Sequence, residues 1–142
     1  SYNWTINGEK RTGKTLTYSI TTPGIYDCTI TAYNSINSET LEFNVTIEEA
    51  LQSVNIEYNT TVIIKVGDSL LFKAKVTGGA PKSHMVYKWF LNGTDSLQRG
   101  ESYLVPFDHA GEKEVKVEVS NNVSQISDKV IIQVCIHYVT NL

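Results

Sequence analysis

The chain states one pattern twice, and that repetition limits what it can fold into more than any other feature. Tyr2-Asn3-Trp4-Thr5-Ile6-Asn7-Gly8 returns as Tyr87-Lys88-Trp89-Phe90-Leu91-Asn92-Gly93, 85 positions later. Pro23-Gly24-Ile25-Tyr26-Asp27-Cys28 onward to Asn34-Ser35 parallels Ala110-Gly111 onward to Asn121-Asn122, 87 positions later. A repeat of this length implies small modules set end to end, an architecture suited to reach rather than to one deep catalytic cleft. The first copy opens at its tryptophan strand. Its earlier strands are therefore expected to lie outside these 142 residues, in a longer parent chain.

Each copy reads as strand. Val115, Val117 and Val119 alternate with Lys116, Glu118 and Ser120, the period of two that buries one face of a sheet. Tyr26, Cys28, Ile30 and Ala32 alternate likewise, as do Leu70, Phe72, Ala74 and Val76. A helical period persists nowhere, so the expected class is all-β: tandem antiparallel sandwiches with Gly, Asn or Pro turns. Strands are expected at 15–21, 25–33 and 39–47 in the first copy. In the second they fall at 53–64 (broken near Asn59-Thr60), 70–76, 85–91, 102–107, 112–120 and 127–135. Asn92-Gly93 is a strong hairpin signal, because both residues tolerate positive φ. The module boundaries read as 1–49 for a partial sandwich, 50–136 for a nearly complete one, and 137–142 for a tail or the start of another module. A linker rich in Pro or Gly is absent from the boundary near Glu48-Glu49-Ala50-Leu51, which predicts a stiff connection.

Charge narrows the function. A net charge of −3, from 12 basic and 15 acidic residues well mixed along the chain, gives no footprint for nucleic acid. The longest apolar run, Val130 to Ile136, is too short to cross a bilayer. Asn-x-Ser/Thr occurs at Asn3, Asn44, Asn59, Asn92 and Asn122, five of eleven asparagines. With 27 Ser and Thr in 142 residues, chance predicts about two such sites. The excess points to a glycosylated, extracellular or cell-surface protein, against coincidence in a chain rich in these residues.

Order and spacing together resemble the polycystic kidney disease (PKD) repeat, an immunoglobulin-like sandwich. The resemblance rests on Val66-Gly67-Asp68-Ser69-Leu70-Leu71-Phe72, Tyr87-Lys88-Trp89-Phe90, Ala110-Gly111, Val115-Lys116-Val117 and Asn121-Asn122-Val123-Ser124 in the second copy. In the first it rests on Tyr2-Asn3-Trp4 and on Gly24-Ile25-Tyr26 through Ala32-Tyr33-Asn34. Departures exist: Asn7-Gly8 and Asn92-Gly93 stand where many members carry Gly-Asp-Gly, and Lys113 replaces the hairpin tyrosine of the second copy. Cys28 follows Tyr26 by two residues, the immunoglobulin spacing of corner tyrosine and strand cysteine, so an immunoglobulin-superfamily receptor is the rival assignment. The resemblance implies ectodomains of the polycystin or receptor-for-egg-jelly type. Their role would be that of an extended, load-bearing spacer and a surface for protein or glycan partners, for neighbouring domains, or for homophilic assembly. An accessory module of a secreted hydrolase and a surface-layer or filament protein are further readings.

Residue by residue, Trp4, Tyr26 and Trp89 read as core residues. Trp4 and Trp89 recur at one repeat position, which favours a core role over an exposed sugar platform. Cys28 is expected either to bond a cysteine outside these residues, on an upstream strand of its own module, or to stay a buried free thiol. A bond to Cys135 is not expected. His84, His109 and His137 lack metal-ligand spacing. Glu48, Glu49 and Asp108 are too few for a calcium junction. Nucleophile elbow, phosphate loop and paired-carboxylate patterns are all missing, so no catalytic residue, metal or cofactor is expected.

Overall fold

The computed structural model describes residues 1–136, and the tail expected at 137–142, with His137, lies outside them. The chain divides into two compact units, Ser1–Glu49 and Ala50–Leu142. All regular elements among the described residues are β-strands.

Unit 1 is a single four-stranded antiparallel sheet. Its strands are β1 (Tyr2–Ile6), β2 (Glu9–Thr12), β3 (Gly24–Tyr33) and β4 (Ser38–Ile47), in the order β2-β1-β3-β4. Asn7 and Gly8 take positive φ of 49° and 81°, the geometry of a two-residue hairpin, and fold β2 back on β1. Register puts Trp4, Ile30 and Leu41 in one row across the sheet and Ile6, Cys28 and Phe43 in the next. Every second residue of a strand shares a face, so these rows build one apolar face. Asn3 and Asn44 lie on the other.

Unit 2 is a closed sandwich. One sheet, ordered β10-β7-β5, holds β5 (Leu51–Glu57), β7 (Ser69–Gly78) and β10 (Ser102–Pro106). The other, ordered β6-β12-β11-β8-β9, holds β6 (Ile64–Lys65), β8 (Val86–Leu91), β9 (Thr94–Asp95), β11 (Gly111–Ser120) and β12 (Gln125–Cys135). Their inner faces meet in a core of Phe72, Trp89, Val105, Phe107, Val115, Val117, Val119 and Val134, all essentially inaccessible to solvent. Phe72 meets Phe107 edge-on with centroids 6.4 Å apart, and Trp89 lies 5.9 Å from Tyr103. Two polar bonds tie the layers. Asp128 Oδ2 accepts the Ile56 N–H at 2.9 Å, and Ser124 Oγ accepts the Leu51 N–H at 2.8 Å.

Three sequence expectations are corrected. The stretch 15–21 is not a strand. Its counterpart β10 is held by β7, and residues 1–49 contain no strand to play that part. The stretch 53–64 is two elements: β5 ends at Glu57, and β6 crosses to the opposite sheet to pair in parallel with β12. The short hairpin returns β2 and β9 were not foreseen, because exposed four- and two-residue strands carry no apolar alternation.

Candidate functional site

Both tryptophans make the same local bond. Trp4 Nε1 donates to Gly13 O at 2.7 Å, and Trp89 Nε1 donates to Gly100 O at 2.8 Å. The bond fixes the returning chain against the tryptophan strand in each unit, whatever the burial. Trp89 is fully buried, whereas Trp4 is half-buried, since no second sheet within unit 1 lies over it. Tyr26, also half-buried, donates its hydroxyl to Thr22 O at 2.6 Å. That is the tyrosine corner, in which the ring closes the turn entering the strand it sits on.

Cys28, two residues on, is 98% buried (2% exposed) and a free thiol; Cys135 is free and exposed. Burial, with a smaller contribution from neighbouring Asp27, pushes the Cys28 thiol up. While unbonded it is held protonated near neutral pH. Among the described residues no three His, Cys, Asp or Glu side chains converge on a metal-sized site. One polar hollow of the surface is bounded by Glu114, Lys116, Ser127, Asp128 and Lys129.

The outer face of the five-stranded sheet of unit 2 has a more distinctive chemistry. Register sets Lys129, Lys116, Phe90 and Asp95 in one row and Ser127, Glu118 and Lys88 in the next. Lys116 Nζ reaches Glu118 Oε1 at 2.9 Å and also stands 5.4 Å from the centre of the Phe90 ring. Ile131 is exposed beside them. At the edge, Arg99 grips Asp95 through two bonds of 2.9 and 2.7 Å. That guanidinium, helped by the Leu97 N–H, holds the Asp95 carboxyl down to about 2. A depressed carboxylate supports the fold above its unfolded value of about 3.9 and loses that support as pH falls through about 2. The edge pair thus persists across the whole physiological range.

All five acceptor asparagines are exposed. Asn3 and Asn44 project from the polar face of unit 1. Asn59 follows β5 and Asn122 sits in the β11–β12 turn. Asn92 forms the tip of the β8–β9 hairpin at φ 52°, where its Oδ1 accepts the Glu114 N–H at 2.9 Å.

Unit 2's paired sheets, the tyrosine corner of unit 1 and the absence of helix among the described residues define the class: an all-β, immunoglobulin-like sandwich protein. Solved structures agree. The chain is similar to an amphioxus IgVJ-C2 molecule (TM-score 0.53, 13% identity, 93% of this chain and 87% of that one). It is similar to the CD2-binding domain of CD58 (0.51, 14%, 93% and 84%) and to the PKD domain of human SorCS2 (0.50, 16%, 89% and 100%). At such identities the likeness is one of fold. A quinoprotein alcohol dehydrogenase-like protein from Bacteroides thetaiotaomicron also matches, but this chain spans 20% of its length at a TM-score of 0.44. No protein-family model and no curated protein matches the chain.

Proposed function

We propose that this chain is a non-catalytic, load-bearing module of a glycosylated cell-surface protein, with Cys28 bonded to a cysteine outside these residues. The observation that carries the mechanical part is the parallel pairing of β6 with β12, Ile64 with Val134 and Lys65 with Cys135. It is extended by the Val66 N–H donating to Cys135 O at 3.0 Å. Tension drawn through Ile64 toward the N-terminus and through Cys135 toward the C-terminus slides two parallel strands along their common axis. Their hydrogen bonds then share the load instead of opening one after another.

The test is single-molecule stretching of chain secreted by a glycosylating host, after its mass has been compared before and after deglycosylation. Unit 2 is expected to rupture in one step, and Val66→Pro, which removes the donor, to lower the rupture force clearly. A rupture force indifferent to that substitution would sink the mechanical reading, and an unchanged mass would remove the cell-surface one.

The same module offers a contact surface. The outer face around Lys88, Phe90, Lys116, Glu118, Lys129 and Ile131 combines charges of both signs with apolar contact area. This is the composition of a reversible protein-binding patch. Lys88→Glu with Lys129→Glu is expected to lower aggregation of beads coated with the glycosylated chain. Aggregation that is unaffected would place the contact elsewhere.

A further inference from the structure

The two units are internal copies, so unit 2 shows what unit 1 lacks. The matching bonds Trp4–Gly13 and Trp89–Gly100 align Leu16, Tyr18 and Ile20 with Tyr103, Val105 and Phe107. In unit 2 those residues belong to β10 and the turn after it. Tyr103 there opposes Phe72 and Val105 opposes Leu70 on β7. Two flanking bonds extend the ladder: Ala74 N–H to Glu101 O and Phe107 N–H to Asp68 O, each 2.9 Å.

Residues 14–21 of unit 1 keep the form of such a strand without its neighbour. Leu16, Tyr18 and Ile20 are half-buried while Thr15, Thr17, Ser19 and Thr21 are exposed, the alternation of an edge strand lying over a core. None of their N–H groups bonds to another backbone group among the described residues. The apolar face nearby is partly open. Leu41 is 62% and Phe43 36% exposed, although the positions aligned with them, Asp128 and Val130, are part of the closed face of unit 2.

We infer that the stretch Lys14–Ile20 is a strand-accepting edge, and that its occupant is an extended strand from outside these 142 residues with the chemistry of β7. Such a strand carries an apolar residue at every second position, as in Leu70-Leu71-Phe72-Lys73-Ala74, and runs antiparallel to the edge. By the register of unit 2, its backbone bonds go to Lys14, Leu16, Tyr18 and Ile20, and its apolar side chains close over half-buried Ile30. A second strand beside it, as β5 lies beside β7, reaches Leu41 and Phe43. This is strand addition, in which the backbone supplies affinity and alternate side chains supply selectivity. The inference does not rest on the mechanical reading and can fail independently of it.

The probe is a synthetic peptide of residues 69–76, Ser-Leu-Leu-Phe-Lys-Ala-Lys-Val, titrated into the isotopically labelled full chain at up to millimolar concentration. Saturable shifts and slowed hydrogen exchange are expected at the amides of Leu16, Tyr18 and Ile20. A peptide N-methylated at the Phe72 position cannot give its ladder hydrogen bond, and is expected to bind at least tenfold more weakly. Three outcomes overturn the proposal. The first is no response at the amides, which leaves the edge without affinity for its own internal template. The second is equal binding of both peptides, which is apolar adsorption alone. The third is amides already protected in a concentration-dependent dimer, which makes the occupant a second copy of the chain.

Discussion

Trp89→Ala is expected to destabilise unit 2 by about 3–5 kcal/mol, a large part of the roughly 5–15 kcal/mol that a domain of ordinary stability has to lose. The indole is completely buried, packs 5.9 Å from Tyr103 and donates to Gly100 O. Truncation therefore opens a cavity and removes the bond that ties the Gly100 loop to the tryptophan strand in the same step. Denaturant melting followed by residue-resolved amide signals separates the units. The matched Trp4→Ala is expected to cost unit 1 clearly less, since Trp4 is only half-buried. Equal losses in the two units would contradict the burial difference between them.

Gly78→Ala is expected to cost about 2–6 kcal/mol, by a different route. Gly78 sits at φ 77°, opposite Leu51, where a bulge shifts the β5–β7 register between Leu51 and Ser53. An L-residue held there carries about 1–3 kcal/mol of backbone strain. A Cβ would also lie 2.8 Å from both Ala50 O and Gln52 N, backbone atoms that cannot rotate aside, and overpacking of this kind adds about 1–3 kcal/mol. Gly93, at φ 79°, has open space around its missing Cβ, so Gly93→Ala meets the strain alone and is expected to be milder. The comparison is made by equilibrium unfolding of the two variants. A Gly78 variant no worse than the Gly93 variant would show that the close approach of β5 is not tight.

Much of the fold was legible because its information is local. Val115, Val117 and Val119 alternate, and all three are fully buried; Asn92-Gly93 asks for a hairpin, and one is there. What escaped the sequence was relational. The stretch 15–21 has a strand's alternation, but a strand is a property of a pair, and the pairing partner is not among residues 1–49. β6 is two residues long, and its identity comes from crossing to β12, which no local pattern announces. The recurring position of Trp4 and Trp89 was plain in the sequence, whereas their unequal burial depends on what lies opposite. The site was less legible still. The acceptor asparagines could be counted, but that Lys129, Lys116 and Phe90 share one row emerges only when register decides which residues share a surface.

The parallel contact of β6 with β12 also orders events in time. It joins Ile64 to Val134, a separation of 70 positions, and the core is not sealed until Ile132 and Val134 arrive in the last strand. The bond from Trp89 to Gly100 spans only 11 positions, a loop of a length that closes in about 10–100 ns. During synthesis the tryptophan turn can therefore form as soon as it leaves the ribosome, and β5, β7 and β10 can pair with one another, while β6 must wait for β12. A nascent chain halted before residue 130 lacks the strand end that brings Ile132 and Val134 into the core, so its apolar interior stays partly open to water.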